Sequence, residues 1–390
     1  MSLAALIIAL LALATWTYLL VGHGGFWRMA ERDDRDAPSS PATWPAASWP
    51  GVTAVVPARN EADVIARSVG GLLAQDYPGR FQVILVDDNS DDGTAEAARA
   101  EARRLGCAER LTVLAGQPLP AGWTGKLWAM RQGIEAAGDE PDYLWLTDAD
   151  IAHTPDNLRA LVGRAEADGR VLVSLMARLT TETFAEAMLI PAFVFFFDML
   201  YPFAWANDPR RKLAAAAGGC MLAKREALAA AGGVDAIRTE IIDDCALGRR
   251  MKTQGSIWLG LTERAVSLRP YAGFAEVGRM VSRSAYAQLN YSLLLLAGCL
   301  AGMVLVYWAA PLLSLFGHGA ARWLGLTAWA AMALAFQPIL RFYRRSPLWG
   351  LALPVIGAVY TWFTLDSALQ VWRGRGGMWK GRAQAATEHP

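Results

Sequence analysis

Val83-Ile84-Leu85-Val86-Asp87-Asp88-Asn89-Ser90-Asp91-Asp92-Gly93-Thr94 decides the fold: a β-rich apolar run, residues 82–86, ends in paired carboxylates and a turn. An alanine-rich run with helical spacing, 95–105, follows at once, and Asp91 or Asp92 is placed to cap it. The unit recurs. Residues 53–56, 111–114, 143–146 and 171–175 read as further strands, separated by helical segments such as 64–73. This alternation predicts an α/β fold with a mostly parallel sheet covered by helices. Ligands of such a sheet bind beyond the carboxyl ends of its strands, where Asp87-Asp88 and Asp148-Ala149-Asp150 fall.

Outward from this middle the chain becomes apolar. Of its 390 residues 54% are hydrophobic and only 19% charged, with the apolar excess gathered at the two ends. Residues 3–21 are long enough to cross a bilayer and have no Lys or Arg before them, which predicts an uncleaved anchor at 1–22. Arg28, Arg32 and Arg35 follow, and the positive-inside tendency then sets a linker, 23–50, and the domain, 51–270, in the cytoplasm. A juxtamembrane segment, 271–291, leads to a membrane region, 292–372, of up to three helices (292–316, 323–340, 348–371), and to a basic tail, 373–390. Three crossings would carry that tail outside, so one run is expected to be re-entrant or interfacial. A net charge of +1 and the lack of any reading motif exclude nucleic acid as a partner. Cys107, Cys220, Cys245 and Cys299 show no spacing that suggests a disulfide framework or zinc site.

Three motifs in order carry a resemblance: Val55-Val56-Pro57-Ala58-Arg59-Asn60-Glu61, Val86-Asp87-Asp88 with the turn after it, and Thr147-Asp148-Ala149-Asp150. Together with Ile241-Ile242-Asp243-Asp244, they resemble the nucleotide-sugar domain of the family 2 glycosyltransferases, which have the GT-A fold and invert the anomeric carbon. The match covers roughly 51–269. The Arg279-Met280-Val281-Ser282-Arg283-Ser284-Ala285-Tyr286 run and the terminal apolar segments are similar to the hopanoid-associated branch.

The resemblance implies roles. Asp88 accepts from the ring N–H of a uracil, and Pro57, Arg59 and Glu61 wall the base and ribose. Asp148 meets the ribose or a metal-bound water, and Asp150 coordinates a divalent metal, Mg2+ or Mn2+, on the diphosphate. Residues two apart in an extended chain point the same way, so both acids can face one ligand. Asp244 takes the acceptor proton with Asp243 beside it, although a longer Glu is common at the first position. Each acid also has a plain reading: strand-end turns for Asp87-Asp88 and Asp148-Asp150, helix-start acids for Glu61 and Asp243-Asp244. His153 either joins the metal or packs, with packing favoured. Lys126, opening a helix at 127–137, either serves the phosphates or is a surface residue. Gly218-Gly219 permits close backbone approach beneath the sugar. Arg283 falls where related chains carry the arginine of a Gln-x-x-Arg-Trp motif. It covers the diphosphate or meets lipid headgroups, and Ser284 in place of the tryptophan implies one sugar transferred, not many.

Residues 187–205, apolar and aromatic but carrying Asp198 and two prolines, read as an interfacial helix near a lipid acceptor or as a buried helix. The expectation is a metal-dependent enzyme of the cytoplasmic or inner membrane, moving a sugar from a nucleotide-sugar to a lipid hydroxyl, with a hopanoid as first choice. Two alternatives stand: a polyprenyl-phosphate glycosyltransferase, and a non-catalytic membrane subunit that binds nucleotide-sugar.

Overall fold

The structure, a computed structural model, describes residues 3–35, 48–374, 378–379 and 382–383, so most of the proposed linker and basic tail lies outside the described residues. The chain divides into two compact units. One holds the described residues of Met1–Ala30, Thr181–Ala204 and Tyr271–Gly377; the other holds those of Glu31–Thr180 and Trp205–Pro270.

The second unit is built on one sheet of eight strands. β1 (Val52–Ala58), β2 (Phe81–Asp87), β3 (Leu111–Ala115), β4 (Tyr143–Thr147), β5 (Ile151–His153), β6 (Leu172–Arg178), β7 (Cys220–Lys224) and β8 (Ile257–Ser267) lie in the order β3-β2-β1-β4-β7-β6-β8-β5. Four neighbouring pairs are parallel, β1 with β2, β2 with β3, β1 with β4 and β6 with β8, and the other three are antiparallel, which makes the sheet mixed.

Both faces of the sheet are covered, as runs without polar alternation require. Every residue of β1 is buried. Successive side chains still go to opposite faces: Ala54 and Val56 join Val83, Leu85 and Trp145 on one, while Val55 joins Leu144, Leu146 and Met221 on the other. The first face receives residues of the helices Ile65–Leu73, Thr94–Arg104 and Asn157–Ala167; the second receives Gly125–Ala137, Arg225–Ala230 and Asp243–Lys252. At Gly133 the covering helix lies so close that a Cβ would stand 2.4 Å from Val55 Cγ1, hence glycine.

The first unit is helical and apolar. Among the described residues three helices are long and apolar enough to cross a membrane: Leu3–Val21, Leu293–Phe316 and Ala320–Phe342. The fourth apolar run forms Leu353–Trp372, 20 residues long, so all three apolar runs expected at the carboxyl end are helical. Large apolar side chains face outward, Val21 and Leu294 more than four-fifths exposed at 83% and 82%, as suits a surface meant for hydrocarbon. A narrower stripe on the first helix, Ala9, Ala12, Trp16 and Leu19, is buried, and Trp16 donates from Nε1 to Val306 O at 2.8 Å. Helix Phe184–Leu200 belongs to this unit; its Phe195 meets Phe26 at a tilt and Phe336 edge-on, and its Asp198 accepts from Phe203 N–H at 2.9 Å.

Candidate active site

Strand direction gathers the chemistry. β1, β2 and β4 run parallel, so the residues after them (Arg59 and Glu61, Asp88, Asp148 and Asp150) meet on one rim of the sheet. β7 runs opposite to β4, which brings the residues before it, Gly218-Gly219, to that same rim. β6 opposes β7 and β8 follows β6, so the carboxyl end of β8 delivers Arg269 there as well.

The turns after β1 and β2 hold each other. Asn60 and Asn89 both take left-handed backbone, φ 51° and 54°, which asparagine tolerates better than most side chains. Asn60 N–H donates to Ser90 Oγ at 2.9 Å, and Asp91 N–H donates to Asn60 Oδ1 at 3.1 Å. Asp92 is structural, accepting from Thr94 N–H, Thr94 Oγ1 and Ala62 N–H. Asp88 is buried at the end of β2, its N–H bonded to Ala58 O at 2.8 Å, with the Arg59 guanidinium 3.9 Å from its carboxylate. Pro57 stands in β1 just before this pair.

Two cations then stitch the acids together. Lys126, in the first turn of Gly125–Ala137, places Nζ 2.9 Å from Asp148 Oδ1 and 3.1 Å from Asp243 Oδ2. Arg269 donates from Nε to Asp150 Oδ2 at 2.9 Å and from Nη2 to both oxygens of Glu61, at 2.8 and 2.6 Å. Asp244, in the first turn of Asp243–Lys252, accepts from Cys245 N–H at 2.7 Å and Gly218 N–H at 3.0 Å. A Cβ at Gly218 would come within 3.2 Å of Lys126 Nζ and 3.5 Å of Asp244 Oδ2, so a side chain there would press the ammonium away by a few tenths of an ångström.

The electrostatics follow from burial and from these pairings. Burial, and after it the charge of Asp243, pushes Asp244 up to about 6. Burial likewise holds Asp148 above the ordinary carboxylate range, against the pull of Lys126. For Lys126 burial alone would lower the ammonium, but Asp148, Asp243 and Asp244 outweigh it and keep it protonated.

Behind the rim lies a neutral network that the sequence did not reveal. Thr147 Oγ1 donates to Gly219 O at 2.8 Å, so it accepts from His153 Nε2 at 2.9 Å; His153 Nδ1 in turn accepts from Asn157 Nδ2 at 2.9 Å. One tautomer satisfies every bond. Burial pushes His153 down to about 3, and its ring packs 4.6 Å from Trp145, so it packs and braces Thr147 and Gly219 instead of binding metal. In the unfolded chain a histidine takes its proton near pH 6.5, so folding becomes less favourable as pH falls from about 6.5 toward 3. His153→Leu is expected to melt lower at pH 7.5, because Asn157 and Thr147 lose partners at a cost of about 1–3 kcal/mol, yet to lose less on going to pH 5 than the parent does. Parallel melting curves at the two pH values would refute the assignment.

Among the described residues no three His, Cys, Asp or Glu side chains gather as a self-sufficient metal site. Asp148 and Asp150 nonetheless lie close enough for the charge of one to act on the other, and a pair of hard oxygen donors fits Mg2+ or Mn2+ when phosphate and water complete the shell. Of the candidates read from sequence, Pro57, Arg59, Glu61, Asp88, Lys126, Asp148, Asp150, Asp243 and Asp244 belong to this unit, whereas Arg283 follows helix Phe274–Ser282 in the apolar unit. Arg269, two residues past the end of β8, and the hydrogen bonds that tie His153 to Thr147 and Asn157 were missed, whereas Gly218 stands where the sequence placed it, beneath the site.

With this geometry in view, residues 53–232 match the family model described as Glycosyl transferase family 2. That match takes in 180 of the 390 residues and marks a glycosyltransferase domain within the chain. The solved structure of a mannosyltransferase from Pyrobaculum calidifontis, in complex with GDP-mannose and Mn2+, is similar to 94% of this chain over 99% of its own, with a TM-score of 0.53 and 21% identity. Mannosyl-3-phosphoglycerate synthase from Rubrobacter xylanophilus aligns with 69% of this chain and 82% of its own at a TM-score of 0.42 and 19% identity. Glucosyl-3-phosphoglycerate synthase from M. tuberculosis aligns with 63% and 81% at 0.40 and 20%. No curated protein sequence matches. The glycosyltransferase domain thus has the GT-A-type sheet expected for it, mixed in strand direction.

Proposed function

We propose that this chain is a membrane-bound, inverting glycosyltransferase that moves one sugar from a nucleoside-diphosphate sugar, UDP-linked, to a lipid hydroxyl such as that of a hopanoid. The observation that carries the reading is the chain of charges Asp148–Lys126–Asp243, with Asp244 beside it, on the rim where a GT-A-type sheet binds ligands.

Asp88, Pro57, Arg59 and Glu61 hold the base and ribose, with the Asp88 carboxylate accepting from the base N–H. Lys126 and the helix N-terminus it stands on meet the diphosphate. The acceptor hydroxyl gives its proton to an Asp244 carboxylate oxygen and its oxygen attacks the anomeric carbon. The bond to the diphosphate oxygen breaks with its electrons, so the configuration inverts. A positive group about 4 Å from the developing charge is worth roughly 4 kcal/mol at an effective dielectric near 20, close to three powers of ten in rate. Asp148 and Asp150 are the residues to hold a divalent ion, which when bound supplies Lewis-acid charge to the leaving group.

The apolar helices support the membrane role. After a bilayer anchor at Leu3–Val21, an even pair of later crossings, Leu293–Phe316 and Ala320–Phe342, returns the chain to the side of the domain, with Arg341 at the end of the last of them and Arg344 and Arg345 just beyond. That side is the cytoplasm, where nucleotide-sugars are at hand. Arg279 and Arg283 precede the first of these later crossings in sequence and are placed to meet lipid headgroups.

Membranes containing the protein, given a panel of labelled UDP- and GDP-sugars, are expected to pass label into the lipid extract from one UDP-sugar. Chelator should reduce the transfer at least tenfold, and added Mg2+ or Mn2+ restore it. Label that stays water-soluble with every donor refutes the lipid acceptor; transfer indifferent to chelator refutes the ion.

A further inference from the structure

We propose that Arg269 is a positioning residue of the donor cleft: it holds Glu61 and Asp150 together while no donor is bound and turns toward the diphosphate when one arrives. The proposal rests on the nucleotide-sugar reading above.

Three strand ends carry the argument. Glu61 follows β1, Asp150 follows β4, and Arg269 follows β8, whose backbone is fixed beside the acids by Leu268 N–H donating to Asp150 O at 2.7 Å. Glu61 and Asp150 are largely shielded from water, their side chains 8% and 19% exposed. Two such carboxylates in one cleft repel unless a cation lies between them, and the guanidinium fork fits that place. Nε and Nη2 engage the two acids, Nη1 is engaged by neither, and the side chain is 35% exposed, so one edge of the guanidinium faces outward. Arginine matches phosphate as well as carboxylate in this planar, paired manner, so a diphosphate entering over Asp148 and Lys126 can take over its outward edge without removing it from the cleft.

A divalent ion on Asp150 and the guanidinium on Asp150 compete for one carboxylate. Removing Arg269 therefore has two consequences of opposite sign: the free protein holds a divalent ion more tightly, and it holds a nucleoside diphosphate less tightly when no ion is present. A residue needed only for folding would weaken both.

The test uses the purified full chain in detergent, with UDP, GDP and Mn2+ titrated separately by calorimetry into the parent, Arg269→Gln and Arg269→Lys. In chelator, Arg269→Gln is expected to bind the preferred nucleotide at least tenfold more weakly, with Arg269→Lys between it and the parent. Without nucleotide, Arg269→Gln is expected to bind Mn2+ at least threefold more tightly. Unchanged nucleotide affinity in Arg269→Gln, or loss of nucleotide and Mn2+ affinity together, overturns the assignment. A parent protein that binds neither UDP nor GDP, with or without Mn2+, overturns the nucleotide-sugar reading itself; normal binding by the parent and an indistinguishable Arg269→Gln overturns only the role of Arg269.

Discussion

Asp244→Asn is expected to turn over donor and acceptor about a hundred to ten thousand times more slowly than the parent while binding nucleoside diphosphate within a fewfold of it. The carboxylate stands in the first turn of Asp243–Lys252, with backbone N–H groups of Cys245 and Gly218 on its two oxygens. An amide has the same shape and can keep one of these bonds, but it takes no proton. The loss therefore falls on kcat and leaves KM for the donor nearly alone, the signature of an interaction made only during reaction. The same residue is expected to set the acid side of the pH profile. With Asp244 pushed up to about 6, the competent carboxylate is scarce below that pH and complete above it. kcat/KM of the parent, which reports the free enzyme, accordingly climbs tenfold per pH unit below about 6 and levels off above. An Asp244→Asn protein retaining a tenth of parental turnover, or a parental profile flat from pH 5 to 8, would show that the acceptor proton goes elsewhere.

Lys126→Met is expected to be the most damaging single change to the folded domain. Its ammonium is the shared counterion of Asp148 and Asp243, and all three side chains are largely out of water, at 16%, 33% and 17% exposure. Methionine fills the volume but leaves two facing carboxylates uncompensated. Removing one member of a buried pair costs about 3–5 kcal/mol, and partial solvent access places this case near about 3 kcal/mol. For a domain of this size each kcal/mol moves the melting temperature by about 2–4 °C, so a drop of about 6–12 °C is expected. Activity falls as well, because the acids relax by taking up protons and Asp244 loses the charge that opposes its own protonation. Lys126→Arg, still positive, should recover much of the stability. A Lys126→Met protein that melts within 2 °C of the parent would mean that Asp148 and Asp243 are solvated in solution and that the lysine links nothing.

How much of this was legible in the sequence depends on the range of the interaction. β1, β2 and β4 are buried on both faces, so they stand out as apolar runs, and the acids that end them are adjacent in sequence to the signal that locates them. β8 is longer but is broken by Thr262-Glu263-Arg264, and β5 spans only three residues, so neither declares itself by periodicity. β7, also outside the expected set, makes two of the three antiparallel pairs and β5 with β8 makes the third, which is why the sheet was read as mostly parallel. The ion pairs were out of reach for a different reason. Arg269 lies 119 residues from Asp150 and 208 from Glu61, and nothing local in Ser267-Leu268-Arg269-Pro270 distinguishes a guanidinium aimed at the cleft from one in solvent. His153 was legible as a packing residue, but the bonds that make it a brace, to Thr147 and Asn157, are visible only once β5 turns back beside β4. At the carboxyl end the crowding of apolar residues located the helices Leu293–Phe316, Ala320–Phe342 and Leu353–Trp372, because a run of that length and composition is a local signal.

The pairing of β5 has a consequence for biosynthesis. Among the described residues its one strand neighbour is β8, through Ile151 with Ser267, Ala152 with Val266 and His153 with Ala265. While the ribosome is still elongating toward residue 257, the segment carrying Asp150 has been made for more than a hundred codons without the strand that fixes it. A nascent or truncated chain lacking β8 can assemble much of the sheet but cannot present a finished donor pocket, so competence for nucleotide arrives late and all at once, after the slow closure of distant segments. Premature release before that point yields a fragment with the acids and no means of aligning them.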